Sequence, residues 1–438
     1  MADVRPIRAL RYDPERVEMA DVTAPPYDVI DAAGRERLVA RSSHNVVELD
    51  LPRAEGDADP YEHAADLLEA WRDDEDGPLV QDGHRTVWAL EQDYTDPEGN
   101  ARTRRGFLAR IRVTNYGPGL VRPHERTQPG PKEDRLRLTR ATRHNLSPIF
   151  VLHSGDAWSR LSPALDGQDP FCEVTDAGGT VHRAWPVDDA DVHEELAELL
   201  EGSELLIADG HHRYETARTY AEEVGDATPT DDHRYTLACL VSLDDPGLSV
   251  FATNRLLHDL GPAQRESLRD ALLDLFDVEE VEEADLVPDR GYATIAFGYM
   301  DSHHLKPYRL RLKNPAPLDE ALAHNSDAYR RLDAAALEAL ILKGPIAMTN
   351  DDIAAKRGIS YCSDFGETVR RLRDGEADAA FFLRPTPVEQ VRAVADAGET
   401  MPPKSTFFFP KLLTGIVLNP LFPADAGLSV TPQEDEES

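Results

Sequence analysis

ELLIADGHHRYETARTYAEE, residues 204–223, is the stretch from which the fold is read. Leu205, Leu206, Ile207 and Ala208 form a short apolar run that fits a buried strand. Asp209-Gly210 is a turn signal, and from His211 onward the pattern turns helical. Tyr214, Ala217, Thr219, Tyr220 and Ala221 alternate with Arg213, Glu215, Arg218, Glu222 and Glu223. The segment therefore reads as strand, glycine turn, helix, with Asp209, His211, His212 and Arg213 crowded onto the junction. A helix start offers unpaired N–H groups and the positive end of the helix dipole, which suits phosphate. Gly210 allows close approach to the backbone. Arg213 can clamp two phosphate oxygens, and the imidazoles can donate hydrogen bonds or move protons. A turn with solvated first-turn charges explains any one of these residues. Their crowding directly after a buried strand points to an anion or phosphate site with acid–base capability.

Upstream, VRPHERTQPGPKEDRLRLTRATRHNLSPIFVL covers residues 121–152. His124, Glu125, Arg126 and Thr127 precede a loop rich in proline and glycine, and Lys132, Glu133, Asp134 and Arg135 open a helix that ends by Ser147-Pro148. A general base, a hydroxyl and cations on a loop are placed as functional residues tend to be. A helix with alternating surface charges is the other reading. Downstream, MPPKSTFFFPKLLTGIVL covers residues 401–418. Its prolines exclude helix and its three phenylalanines call for burial. Lys404, Ser405, Thr406 and Lys411 are the polar exceptions, and a compact ammonium is a natural counter-charge to phosphate. The same stretch also reads as a hydrophobic plug pinning the C-terminal part to the core; the two roles are compatible. Near the start, TAPPYDVID (23–31) is a proline-stiffened extended loop presenting Tyr27 and Asp28.

Around these motifs, strands are expected over 7–16, 44–52, 85–94, 103–113, 234–243, 248–260 and 378–383. Two more are expected in GYATIAFGYM and PYRLRLK. Helices are expected over 61–75, 264–276, 326–342 and 386–399. His303-His304 reads as a polar turn. The implied architecture is α/β or α+β with mixed sheets. A part covering 1–120 is followed by a central part, 121–260, with both motif loops, and by 261–438, which sends MPPKST back into the same cleft.

Composition narrows the function classes. The 438 residues carry a net charge of −35, with 82 Asp plus Glu against 47 Lys plus Arg. Seven of the 47 bases are lysines, at 132, 306, 313, 343, 356, 404 and 411, so arginine dominates. An acidic, lysine-poor surface fits a high-salt cytoplasm, where repulsion is screened. No basic stripe suits duplex nucleic acid. No run of apolar residues is long enough to span a membrane, and the first residues lack an apolar signal core. Cys172, Cys239 and Cys362 lie far apart and match no zinc spacing, which fits a reducing compartment. The acidic tract Glu434, Asp435, Glu436, Glu437 reads as a frayed tail.

APPYDVI, HER-T…PKEDR, IADGHHRYETA and MPPKSTFFFPKL, in this order, resemble the bacterial and archaeal family known as domain of unknown function 1015. The likeness covers nearly the whole chain. One departure is Asn254, where the family pattern carries a histidine before the arginine. DGHHR with its helix is also similar to the phosphate-binding motif of the ParB/sulfiredoxin-like superfamily, which includes partition nucleotidases and free serine kinases. That resemblance implies nucleotide or pyrophosphate at the start of the helix, and phosphoryl transfer to a small hydroxyl compound such as serine.

The candidate catalytic residues are then Glu125, as general base, with Asp209, His211 and His212. Gly210 and Arg213 would hold the donor phosphates together with the two imidazoles, and Lys404 or Lys132 would neutralise further oxygens. The wider binding set is His124, Arg126, Thr127, Ser405, Thr406, Lys411, Tyr27 and Asp28. Mg²⁺ is expected on Asp209 or Asp28. The alternatives are a nucleotide-binding regulatory protein without turnover, and a metal-dependent hydrolase using Asp209, His211, His212 and His124.

Overall fold

The computed structural model describes residues 2–54, 56–73, 76–97, 99–117, 120–125, 129–226, 230–289, 291 and 293–422. Nine strands build the larger sheet among these residues. They are β1 (Val4–Arg5), β2 (Val87–Thr95), β3 (Ala101–Arg112), β4 (Val121–Pro123), β5 (Ile149–His153), β6 (Cys172–Thr175), β7 (Val181–Val187), β8 (Leu205–Asp209) and β9 (Tyr235–Ser242). Their order is β4-β8-β5-β9-β3-β2-β7-β6, with β1 alongside β3. The pairs β4/β8 and β5/β9 are parallel and the others antiparallel, so the sheet is mixed. β9 pairs with β3 from Tyr235↔Arg112 to Val241↔Gly106, so residues on either side of 120 share one sheet.

Both faces of β8 are buried, which is why its sequence is a continuous apolar run rather than an alternating one. Leu205 and Ile207 pack with Tyr214, Leu196 and Leu200. Leu206 and Ala208 face Phe150, Met401, Phe408 and Leu413. Helix α1 (Pro129–Thr142) lies against helix α2 (His211–Val224), with Leu136 and Tyr220 in one apolar cluster.

A smaller antiparallel sheet follows, from β10 (Asn254–Leu257), β11 (Phe276–Glu280), β12 (Ala296–Asp301), β13 (Tyr308–Leu312), β14 (Ile359–Cys362) and β15 (Ala379–Phe382). Its order is β11-β13-β12-β15-β10-β14, and Phe297, Phe381, Leu310 and Leu337 fill its core. The chain then returns to the larger sheet. Phe407–Phe409 pairs with Ser249–Phe251, and bridges join Thr414 to Ala24 and Leu418 to Leu10. Two buried side chains seize its backbone. Arg104 donates to Pro410 O at 2.6 Å, and Gln92 donates to Lys411 O at 3.0 Å.

Four expected elements differ. Residues 44–52 contain a helical turn, Val47–Asp50, instead of a strand. Asn45 decides it, donating to Asp21 O and Thr23 O while its own oxygen accepts the Val47 N–H at 3.0 Å. Such local bonding outweighs the β-propensity of Val46 and Val47. The strand expected over 7–16 shrinks to Leu10–Tyr12, because the Asp13 carboxylate accepts the Glu15 N–H and turns the chain. The strand expected over 248–260 is two strands in two different sheets. The helix expected over 326–342 breaks at Leu332, whose backbone is extended, and the next residue, Asp333, enters a buried pair with Arg384 at 2.7 Å. The acidic tract 434–437 lies outside the described residues.

Phe408 is 1% exposed, between Phe150 and His124 at centroid distances of 5.6 and 5.8 Å. Phe408→Ala is expected to cost about 3–5 kcal/mol of stability by urea unfolding. A loss below about 1 kcal/mol would mean that the returning segment does not anchor the fold.

Candidate functional site

The register of β8 against β5 shifts between Ile207↔Val151 and Asp209↔Phe150, leaving Ala208 as the additional residue of a bulge. A bulge at a strand end re-aims the next side chain, here Asp209. Gly210 follows at φ 89°, and a Cβ there would lie 2.9 Å from Ile149 Cγ2. Glycine is therefore required both for the left-handed backbone and for space. α2 starts at His211 with no side-chain cap, so the positive end of its dipole is presented by the turn itself.

Cations converge on Asp209. Lys411 Nζ lies 3.3 Å from its carboxylate and Arg213 Nη2 lies 3.8 Å away. Burial by itself would raise the Asp209 pKa. The charges of Lys411, Arg213 and Lys404 outweigh burial and hold the carboxyl well below the usual range. Arg213 also donates to Pro148 O, and its buried Nε has no hydrogen-bond partner.

Two imidazoles are locked beneath this floor. His124 donates from Nδ1 to Ile207 O, and its Nε2 accepts from Thr406 Oγ1 at 2.7 Å. The His124 N–H donates to His211 Nε2 at 3.2 Å, and the rings stand 4.7 Å apart. Burial lowers the pKa of both, His211 furthest, since His124 adds to the effect. These bonds match neutral rings. Burial lowers His212 as well, against the pull of Glu215 and Glu125.

Above lies a cavity of about 210 Å³. Of the sequence-predicted residues, Tyr27, Asp28, Glu125, Asp209, Gly210, His211, His212, Arg213, Lys404, Thr406 and Lys411 line it. Glu125 Oε1 accepts the Lys404 N–H at 2.8 Å, and the His124 carbonyl accepts the Met401 N–H at 2.7 Å, so the two motif loops are stitched together. Lys404 sits at φ 58°. Burial would lower its pKa, but Glu125, Asp28 and Asp209 raise it, keeping the ammonium charged. The Tyr27 hydroxyl is pushed up to about 12 by burial, and its ring lies under the Arg135 guanidinium at 4.3 Å.

Other candidates lie elsewhere. Lys132 pairs with Glu215 at 2.5 Å and does not line the cavity. His124 lies behind its wall. Ser405 donates to Pro402 O and faces a small neighbouring pocket with Thr253 and Arg255. Arg126 and Thr127 lie outside the described residues. Asn254 is buried in the smaller sheet, donating to Thr368 Oγ1 and accepting the Leu383 N–H. Sequence reasoning missed Ile353, Lys356 and Tyr361, which a short helix (Asn350–Ala354), the loop after it and β14 contribute to the lining. The rarity of lysine is the one signal that could have found Lys356.

Asp209 is committed to two cations and both locked imidazoles have their acceptor nitrogens occupied, so this set does not fit a metal held by protein ligands. Among the described residues, no group of three or more His, Cys, Asp or Glu side chains could hold a metal ion. No described helix is long and apolar enough to cross a membrane.

The family model described as "Protein of unknown function (DUF1015)" matches residues 4–335, and the chain belongs to that family. No curated protein matches the sequence. Solved structures similar to it include a conserved hypothetical protein from Pyrococcus furiosus, at 15% identity and TM-score 0.35 over 68% of this chain and 92% of that one. A free serine kinase in complex with AMP gives 15% identity and TM-score 0.35 over 68% of this chain and 88% of that one. SbnI with a C-terminal truncation, from Staphylococcus aureus, gives 13% and 0.32 over 69% and 84%. Likeness at this level assigns no activity to the present chain.

The locked imidazoles set a pH dependence. Their folded pKa values lie below the ordinary value of about 6.5, so beneath that pH the unfolded chain takes up protons that the native state does not. Stability is expected to fall as pH drops below about 6.5. The urea midpoint of His211→Gln should fall less steeply over the same range. An equally steep acid limb in the variant would show that His211 is not held neutral.

Proposed function

We propose that this member of the DUF1015 family is a phosphotransferase. It would move a phosphoryl group from a nucleotide or pyrophosphate to a small hydroxyl metabolite of the serine kind. One observation carries the reading: an uncapped helix start, the ammonium of Lys404 and the carboxylate of Glu125 share one cavity. Phosphoryl transfer needs positioning and charge neutralisation more than covalent chemistry by the protein. The cavity is small beside ligand pockets of about 300–1,000 Å³, which suits the phosphate end of a donor and a compact acceptor.

In this reading Gly210, His212 and the start of α2 cradle the donor phosphates, and Lys404 meets the charge that develops on the leaving phosphate. Glu125 takes the proton of the acceptor hydroxyl as its oxygen bonds to the terminal phosphorus and the bond to the leaving oxygen breaks. The backbone bond from Lys404 to Glu125 fixes base and cation relative to each other. Asp209 and Arg213 hold the floor, and His124 with His211 holds the loop. Magnesium would enter with the donor phosphates and add positive charge there. Asp28, a cavity carboxylate with no ion pair among the described residues, is the group open to it.

The acidic surface favours a high-salt cytoplasm, so the assay is set in molar KCl. Purified protein with Mg²⁺ is incubated with a pool of small hydroxyl metabolites including L-serine, and separately with ATP, ADP, CTP or pyrophosphate. Mass spectrometry should reveal a new phosphorylated species. Glu125→Gln keeps an acceptor for the Lys404 N–H but removes the base, and is expected to lower kcat by about 10²–10⁴ with the donor KM little changed. Unaltered turnover in this variant would exclude Glu125 as base. Nucleotide binding without product under any donor would identify a regulatory binder instead.

A further inference from the structure

The lysines divide sharply by environment. Outside the cavity, Lys132, Lys306 and Lys343 pair with Glu215, Glu280 and Glu338 at 2.5, 2.9 and 2.6 Å, and Lys313 donates to Leu273 O at 2.7 Å. The remaining three, Lys356, Lys404 and Lys411, all line the cavity. Lys411 pairs with Asp209. The ammonium groups of Lys404 and Lys356 make no ion pair or hydrogen bond among the described residues. Both are open to solvent, and with every lysine outside the cavity paired or hydrogen-bonded, these two are the lysines that remain available to an external anion among the described residues.

Lys356 comes to the cavity from a different part of the chain than Lys404. It follows the short helix Asn350–Ala354 and precedes β14 of the smaller sheet. Its loop is fixed. The Asp352 carboxylate accepts from the Thr349 N–H at 2.9 Å, Thr349 Oγ1 at 2.6 Å and Arg357 Nε at 2.8 Å. These bonds, Thr349 first, hold the Asp352 carboxyl down to about 2, so the latch stays ionised at any working pH. The Gly358 carbonyl then accepts the His258 N–H at 3.0 Å, tying the loop to the end of β10. Lys356 itself sits at φ 55°, a left-handed conformation that is unfavourable for a non-glycine residue and persists where surroundings over-determine it. Tyr361 and Ile353 line the same cavity.

We propose that Lys356 is an anion-binding residue of this cavity and that the ligand carries at least two linked phosphoryl groups, spanning from Lys404 to Lys356. A single phosphate is already served by the start of α2 and Lys404. A second lysine, delivered from the loop before β14, gains only where negative charge extends beyond the first phosphate. The inference rests on the phosphotransferase reading for its chemistry, but its test needs no turnover.

The probes are sodium pyrophosphate and inorganic phosphate, titrated by calorimetry against the full chain, Lys356→Met and Lys306→Met. The last removes the same charge from a loop between β12 and β13, away from the cavity. Pyrophosphate should bind the parent and the Lys306 variant alike, and bind Lys356→Met about tenfold or more weakly, as loss of a charge-assisted contact implies. Inorganic phosphate should bind all three within about twofold. Undiminished pyrophosphate binding by Lys356→Met overturns the proposal, as does an equal loss for phosphate. Weakened pyrophosphate binding with no phosphorylated product from any donor would keep this inference and sink the transferase reading. Product formation with undiminished binding by Lys356→Met would do the reverse.

Discussion

The ion pair between Asp209 and Lys411 closes a separation of 202 residues, and the arrangement of the cavity follows from it. A partly buried charge is costly unless paired. Asp209 is aimed outward by the bulge at the end of β8 and therefore needs a cation there. Lys411 supplies it while its ammonium rests 4.4 Å from the Phe407 ring centre. Once Lys411 is placed, Lys404 and Thr406, a few residues earlier, must lie over the start of α2. Arg104 and Gln92 reinforce that placement by binding the backbone at 410 and 411. The cavity is the gap left between a strand end, a helix start and a returning strand, closed further by residues near 28 and 356.

Much of this was legible because its causes are local. The apolar run of β8 is continuous since both faces are covered, and Gly210 marks a left-handed turn position where a side chain would meet Ile149. What was illegible depended on distant partners. Asn45 bends residues 44–52 into a helical turn by bonding to carbonyls more than twenty residues earlier. Lys132 looked like a site residue in isolation, but α1 packs on α2 and leaves it beside Glu215. Lys356 carries no motif and stands on a turn after a five-residue helix. Only its rarity as a lysine marked it, and rarity acquires meaning only when the lysines outside the cavity are seen to be paired or hydrogen-bonded.

The preference for arginine elsewhere has a physical side. Arginine, with its planar fork, is suited to bidentate pairing, and the chain uses it for ties such as Arg384 with Asp333. Ammonium groups are compact and hydrate strongly, which makes them exchangeable partners for an incoming phosphate. The net charge of −35 repels anions at long range, but at molar salt the screening length is about 3 Å, so local cations decide what enters.

The same logic explains why the two imidazoles below the floor are neutral. Burial removes the water that would support a positive charge, and Lys411 beside His124 and Lys404 beside His211 disfavour it further. Neutral rings can accept hydrogen bonds, and both do: His124 from the Thr406 hydroxyl, His211 from the His124 N–H. Protonation would turn each acceptor into a donor facing a donor and would loosen the contact between the two motif loops. The pair is thus better suited to bracing the cavity than to moving protons within it. On the proposed reading, acid–base work falls to Glu125, which lines the cavity and accepts the backbone N–H of Lys404.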